Sequence, residues 1–175
     1  MDGTDDAFQV ADAPDLNPTD AITVAAWWTA ADFIGHGNNS LVDKGFTSHT
    51  APHYQYHLGV TGTGYTEGGD FGFTVSLDDT AVGARHTGWT AGQLYHLVGT
   101  YDGSEVSLYV DGALAASRAA SGSMTDYEQD LLIGRYTNLQ VEGLDFLPGT
   151  IDEVTIWDRA LSADEIAVLF SAGAQ

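Results

Sequence analysis

Cysteine is missing from all 175 residues, so no disulfide can staple the fold and no thiolate can serve as nucleophile or metal ligand. The redox compartment stays open on that ground alone. Cations are nearly missing too: lysine occurs once, at Lys44, and Lys plus Arg number five against 25 Asp plus Glu, a formal net charge of −20. Phosphate backbones and anionic lipid surfaces are held by clustered Lys and Arg, so both drop out as partners. No apolar run approaches the ~20 residues that a membrane-crossing helix needs, and insertion into a bilayer is not expected. The opening Met1-Asp-Gly-Thr-Asp-Asp6 has neither the basic nor the apolar segment of a secretory leader, and reads as a cut made inside a longer protein. Helical periodicity is scarce as well; one stretch near the C-terminus carries it.

What remains is a globular composition. Hydrophobic residues make up 43% and aromatics 11%, enough for one well-buried core and, at this length, a single domain spanning residues 1–175. Two explanations compete for the acidity. Multi-site calcium binding would gather carboxylates at loop spacings such as Asp-x-Asp-x-Asp-Gly, and no such run occurs. Scattered acids with almost no lysine fit adaptation to molar salt, where the Debye length falls to about 3 Å and self-repulsion is screened.

The strongest local signal lies between Trp89 and Ser117. Leu94 to Thr100 alternates with a period of two, Asp102-Gly103 interrupts it, Val106 to Val110 resumes it, and Asp111-Gly112 supplies a second tight turn. That predicts a three-stranded antiparallel meander. Further strands are predicted over Ala7–Val10, Ala21–Thr29, Leu41–Gly45, His53–Val60, Phe71–Leu77, Leu131–Arg135 and Thr150–Trp157, the last in strict alternation. Within Ala21–Thr29, Ile22, Val24, Ala26 and Trp28 oppose Thr23, Ala25 and Trp27, so one tryptophan of the pair faces the core and the other faces out or into a groove. Ser162-Ala-Asp-Glu165 is a capping box, with Leu161 and Ile166 at the staple positions and Gly173 to end the helix. Many strands and one short helix predict an all-β antiparallel two-sheet β-sandwich of the jelly-roll kind.

Five segments fall in a familiar order: Asp2-Gly-Thr-Asp-Asp6, Ile22-Thr-Val-Ala-Ala-Trp27, Leu41-Val-Asp-Lys-Gly45, the Trp89 to Gly112 meander, and Gly149-Thr-Ile-Asp-Glu-Val-Thr-Ile-Trp157 running on to Ile166. Together they resemble the LamG-like jelly-roll domains of the concanavalin A-like lectin/glucanase superfamily, over essentially the whole chain. The resemblance implies a two-sheet sandwich used for carbohydrate or protein adhesion, commonly an extracellular module of a larger protein and mostly not an enzyme. It also implies a structural calcium ion held by Asp2, by a carbonyl in the Gly3 to Asp5 turn, and by Asp152 of Ile-Asp-Glu-Val. Calcium takes six to eight oxygens, and such a set would pin the N-terminal turn to a late strand.

Other chemistry finds less support. His53 and His57, with His49 nearby, invite zinc, but four strand residues place the first two roughly 13 Å apart. The glucanase branch of the resemblance carries a three-acid strand motif; here Glu128-Gln-Asp130 is followed by Leu131-Leu132-Ile133, so the third acid is missing. No Gly-x-Ser-x-Gly elbow is present. Sugar binding would use aromatic faces beside amides and acids, and Trp28, Tyr54, Tyr56, Tyr65 and Tyr136 are the candidates, with Tyr127 and Phe146 behind them. The Thr137 to Pro148 loop shows exposed-looking Leu144, Phe146 and Leu147, suited to a neighbouring domain of a parent chain. The expectation is a non-catalytic, calcium-stabilised, salt-adapted module on an extracellular, cell or virion surface, binding a glycan or a surface protein. A structural spacer is the alternative. A glycan-processing enzyme would instead show two acids about 5 to 9.5 Å apart in a cleft.

Overall fold

The computed structural model describes residues 1, 3, 5–30, 38–45, 51–61, 69–136 and 146–173. In chain order its strands are β1 (Phe8–Val10), β2 (Ile22–Ala30), β3 (Asn38–Gly45), β4 (Tyr54–Thr61), β5 (Asp70–Leu77), β6 (Thr80–Thr87), β7 (Leu94–Tyr101), β8 (Glu105–Val110), β9 (Ala113–Ala119), β10 (Leu131–Ile133) and β11 (Gly149–Trp157). One helix, α1 (Ala163–Gly173), follows. A six-stranded sheet runs β1-β10-β3-β4-β5-β6 and a five-stranded sheet runs β11-β2-β7-β8-β9, every pairing antiparallel. This is the expected jelly-roll sandwich, with the β7-β8-β9 meander inside the five-stranded sheet.

Period-two patterning builds the core. Ile22, Val24, Ala26 and Trp28 of β2 face Leu41, Leu58, Phe71 and Phe73 of the opposite sheet, all buried. Gly99 of β7 lies directly against Phe73 of the opposite sheet: a Cβ there would lie 2.0 Å from its ring. The glycine thus holds open the slot that the phenyl ring fills.

β6 is absent from the predicted strands, and its turn explains why. Asp78 and Asp79 both adopt positive φ, 47° and 61°, forming a two-residue hairpin of the I′ kind without the glycine that usually announces one. The strict alternation predicted for Thr150–Trp157 also fails. A register shift between Asp152 and Thr155 marks a bulge, with Glu153 at φ 48°, so Ile151, Val154 and Ile156 are the residues packed on the core.

The capping box forms as expected: the Glu165 N–H donates to Ser162 Oγ at 3.3 Å and the Ser162 N–H donates to Glu165 Oε2 at 2.8 Å. Leu161 and Ile166 are buried with Ala25 and Val98, so α1 lies over the outer face of the five-stranded sheet. Among the described residues no α-helix packs on the outer face of the six-stranded sheet.

Candidate functional site

Two β-bulges shape that outer face. In β3 the register passes from Ser40 opposite Gly59 to Val42 opposite Leu58, leaving Leu41 as the extra residue. Leu41 and Val42 both enter the core, so Ser40 and Asp43 both point outward. In β4 Tyr54 pairs with Gly45 and Tyr56 with Lys44, leaving Gln55 extra. Tyr56 is in the core, while the Tyr54 ring stacks on His57 at 4.6 Å on the outer side. Each bulge turns a period of two into a spacing of three and re-aims a side chain, a device common beside binding sites.

Four polar side chains therefore converge. Ser40 Oγ and His57 Nε2 share a hydrogen bond at 2.9 Å, Asp43 is the cross-strand partner of His57, and Tyr136 meets Tyr54 edge-on at 5.9 Å. A Cβ on Gly59 would come within 2.8 Å of the His57 ring, so the glycine makes room for the imidazole. Toward β6 the floor is shallow: Gly59 pairs with Gly72, Gly72 with Arg85, and Thr74 with Gly83. Thr74 and Gly83 are half-buried and Arg85 is exposed.

Burial, reinforced by the Arg85 charge, lowers the His57 pKa to about 3, so the imidazole is neutral. Burial first, then Tyr136 and Asp43, pushes the Tyr54 phenol far above its ordinary range, so its O–H stays intact. Asp43 and Tyr136 are buried as well, so the groups of this face that solvent reaches are Tyr54, Thr74 and Arg85. Ser40 is fully buried and His57 is 3% exposed, so their hydrogen bond braces the sheet and does not present an accessible nucleophile.

The aromatic candidates separate sharply. Tyr54 and Tyr136 meet at this face. Trp28 and Tyr56 do not: both are fully buried in the core, Trp28 packed on Phe71, Trp89 and Tyr95, and neither can stack on a ligand. The outward tryptophan of the pair is Trp27, which packs against Phe170 of α1. Tyr65 lies outside the described residues. Tyr127 sits elsewhere, donating to Asp79 at 3.0 Å, and Phe146 is covered by the Arg135 guanidinium, 5.0 Å from its centroid. Leu147, expected at the surface, is fully buried in the core; Leu144 is outside the described residues, as is His49. Ser40, Asp43 and Arg85 were not among the sequence candidates, and His57 was weighed only as a zinc ligand. The recurring glycines of β4, β5 and β6 were the signal available for them, since glycine inside strands marks close approach.

Of the implied calcium ligands, Gly3, Asp5 and Asp152 lie among the described residues and Asp2 lies outside them. Met1 and Gly149 exchange both backbone hydrogen bonds, at 2.8 and 3.0 Å, the mark of antiparallel pairing. Gly3 packs against Pro148. The Asp152 carboxylate accepts the Glu153 N–H at 2.8 Å, and Asp5 is exposed. No three His, Asp or Glu side chains gather around a possible ion among the described residues; Asp2 lies outside them. No helix among the described residues is long and apolar enough to cross a membrane.

A family model described as the concanavalin A-like lectin/glucanases superfamily matches residues 2–167. No curated protein matches the sequence. Among solved structures, a putative carbohydrate binding protein from Bacteroides ovatus aligns at TM-score 0.69 and 16% identity, covering 94% of this chain and 44% of that one. Domain 4 of an extracellular arabinanase from Geobacillus stearothermophilus, solved with arabinotriose, aligns at 0.62 and 16% identity, covering 97% and 74%. A heptameric pentraxin from Limulus polyphemus aligns at 0.61 and 12%, covering 97% and 83%. At these identities the likeness is one of fold.

Proposed function

The chain belongs to the concanavalin A-like lectin/glucanases superfamily, and from that premise we propose that it is a carbohydrate-binding module whose sugar site is the outer face of the six-stranded sheet. The observation that carries this reading is the pair of bulges on the sheet face away from α1, which seats buried Ser40, Asp43 and His57 beneath half-buried Tyr54, beside half-buried Thr74 and exposed Arg85. A glycan offers many hydroxyls and apolar C–H faces. It is matched by neutral donors and acceptors beside aromatic rings, and the shallow floor at Gly72, Thr74 and Gly83 lets a chain lie across the strands. Arg85, exposed on the edge strand β6, adds a guanidinium beside this floor. The binding needs no metal. Such a module works outside the cell as part of a longer polypeptide, holding its neighbours against a polysaccharide.

A glycan array read in low and in molar salt tests the reading, followed by calorimetry on each hit. Arabinotriose, present in the arabinanase domain's structure, is the first soluble probe. Arg85→Ala and Tyr136→Ala should each weaken binding about 10-fold, the equivalent of one or two lost contacts, with the melting temperature of Arg85→Ala unchanged. An array on which nothing binds, or full affinity in both variants, overturns it.

A further inference from the structure

On the opposite side of the molecule a cavity of about 240 Å³, open to solvent, lies between α1 and the outer face of the five-stranded sheet. The register defines its walls. Ala25 pairs with Thr155 and forms the floor; Thr23 pairs with Trp157 on one side and Asp152 with Trp27 on the other. The two indoles therefore flank a small-residue floor, with Leu169 of α1 above.

Three features suit it to a ligand. The Trp27 ring is already ordered, with centroids 4.8 Å from His96 and 5.7 Å from Phe170, so it offers a rigid wall at little entropic cost. Glu153 lines the cavity, carried there by the β11 bulge and its positive φ of 48°. Such backbone strain on a residue other than glycine is held by its surroundings and clusters at ligand sites. Finally, His96 is 3% exposed and its Nδ1 has no hydrogen-bond partner, a vacancy that ordinary cores avoid. Burial keeps this imidazole neutral by lowering its pKa, against a smaller opposing effect of Asp111.

No cationic side chain lines the cavity, and the whole chain carries a net charge of −20. Indole faces and a carboxylate attract positive charge, and Glu153 is the one charged group in the lining. We propose that this cavity binds a small organic cation, an alkylammonium head seated between Trp27 and Trp157 with Glu153 as its counter-charge. The site is independent of the glycan face and stands whether or not that face binds sugar.

Tetramethylammonium chloride, titrated against sodium chloride at equal ionic strength, is the probe. Indole N–H resonances report where it binds. Of the four tryptophans, Trp27 and Trp157 should shift saturably while the core residues Trp28 and Trp89 stay still. Glu153→Gln, at an exposed position, should weaken binding at least about 5-fold, and Thr155→Leu, which fills the floor, should abolish it. Choline should also bind, and its neutral isostere 3,3-dimethyl-1-butanol should bind about 10-fold more weakly than choline, as expected if charge and not shape is selected. Equal binding of the isostere, unchanged affinity in Glu153→Gln, or no saturable shift at Trp27 and Trp157 in the millimolar range overturns the proposal.

Discussion

At the scale of single residues, the most constrained side chain is the lone lysine. Lys44 is fully buried, donates to Asp12 at 2.6 Å and also reaches the Gln129 carbonyl. Asp12 in turn accepts from Asn17, whose Oδ1 accepts from Gln55 at 3.1 Å. The network ties the segment after β1 to β3, β4 and the crossing before β10. An ammonium withdrawn from water without such partners would cost far more than it returns. His57 shows the same principle with the opposite outcome, since it is buried neutral. Its pKa falls from 6.5 to about 3, so between those values the unfolded chain binds a proton that the folded chain refuses. Stability is intact above pH 6.5 and is lost as the pH falls toward 3, by up to on the order of 4 kcal/mol from this group. His96, also lowered by burial, adds to the same window, whereas the lowered carboxylates of Asp12, Asp102 and Asp130 act below it. Urea midpoints from pH 7 to 4.5 should fall for the parent chain and fall less for His57→Asn; identical slopes would contradict the assignment.

Secondary-structure elements set which residues meet. The two sheets press together at Gly99, so Gly99→Ala should destabilise by about 2 kcal/mol through overpacking against Phe73, read as a lower urea midpoint with an unchanged slope; a midpoint equal to the parent's would show that the ring has room to move. Much at this scale was legible in advance. The meander turned where Asp-Gly pairs stood, with φ 50° at Asp111 and 77° at Gly112, and the capping box started the helix. Even the pair Trp27 and Trp28 was resolvable: the row Ile22, Val24, Ala26, Trp28 is wholly apolar, which marks it as the core side and Trp27 as the outward ring. Bulges were not legible. Alternation places Tyr54 with Tyr56 and Leu58, and no residue in β4 announces that Gln55 stands outside the count; the extra residue is a property of pairing with β3. The candidate site is built on two such shifts, which is why strand parity misassigned its aromatics and passed over Ser40, Asp43 and His57.

For the molecule as a whole, charge dominates. A chain at −20 with five cations repels itself at low ionic strength, and screening shortens that repulsion from a range of about 10 Å at 0.1 M salt to about 3 Å at 1 M. The melting temperature should therefore rise between 0.1 and about 2 M potassium chloride and level off, and a flat or falling curve would remove salt adaptation from the account. The few cations are also placed unevenly. Lys44 lies in β3, Arg85 in β6 and Arg118 in β9, Arg135 bridges to Phe146, and Arg159 is clamped by Glu165 at 2.7 and 3.0 Å just before α1. Trypsin cuts only after lysine or arginine and needs an extended, unpaired stretch. A tryptic nick at Arg159 would report α1 lifting from its sheet, and cuts at Lys44, Arg85 or Arg118 would report a strand leaving its ladder, so the distribution of positive charge makes this one protease a gauge of sandwich opening.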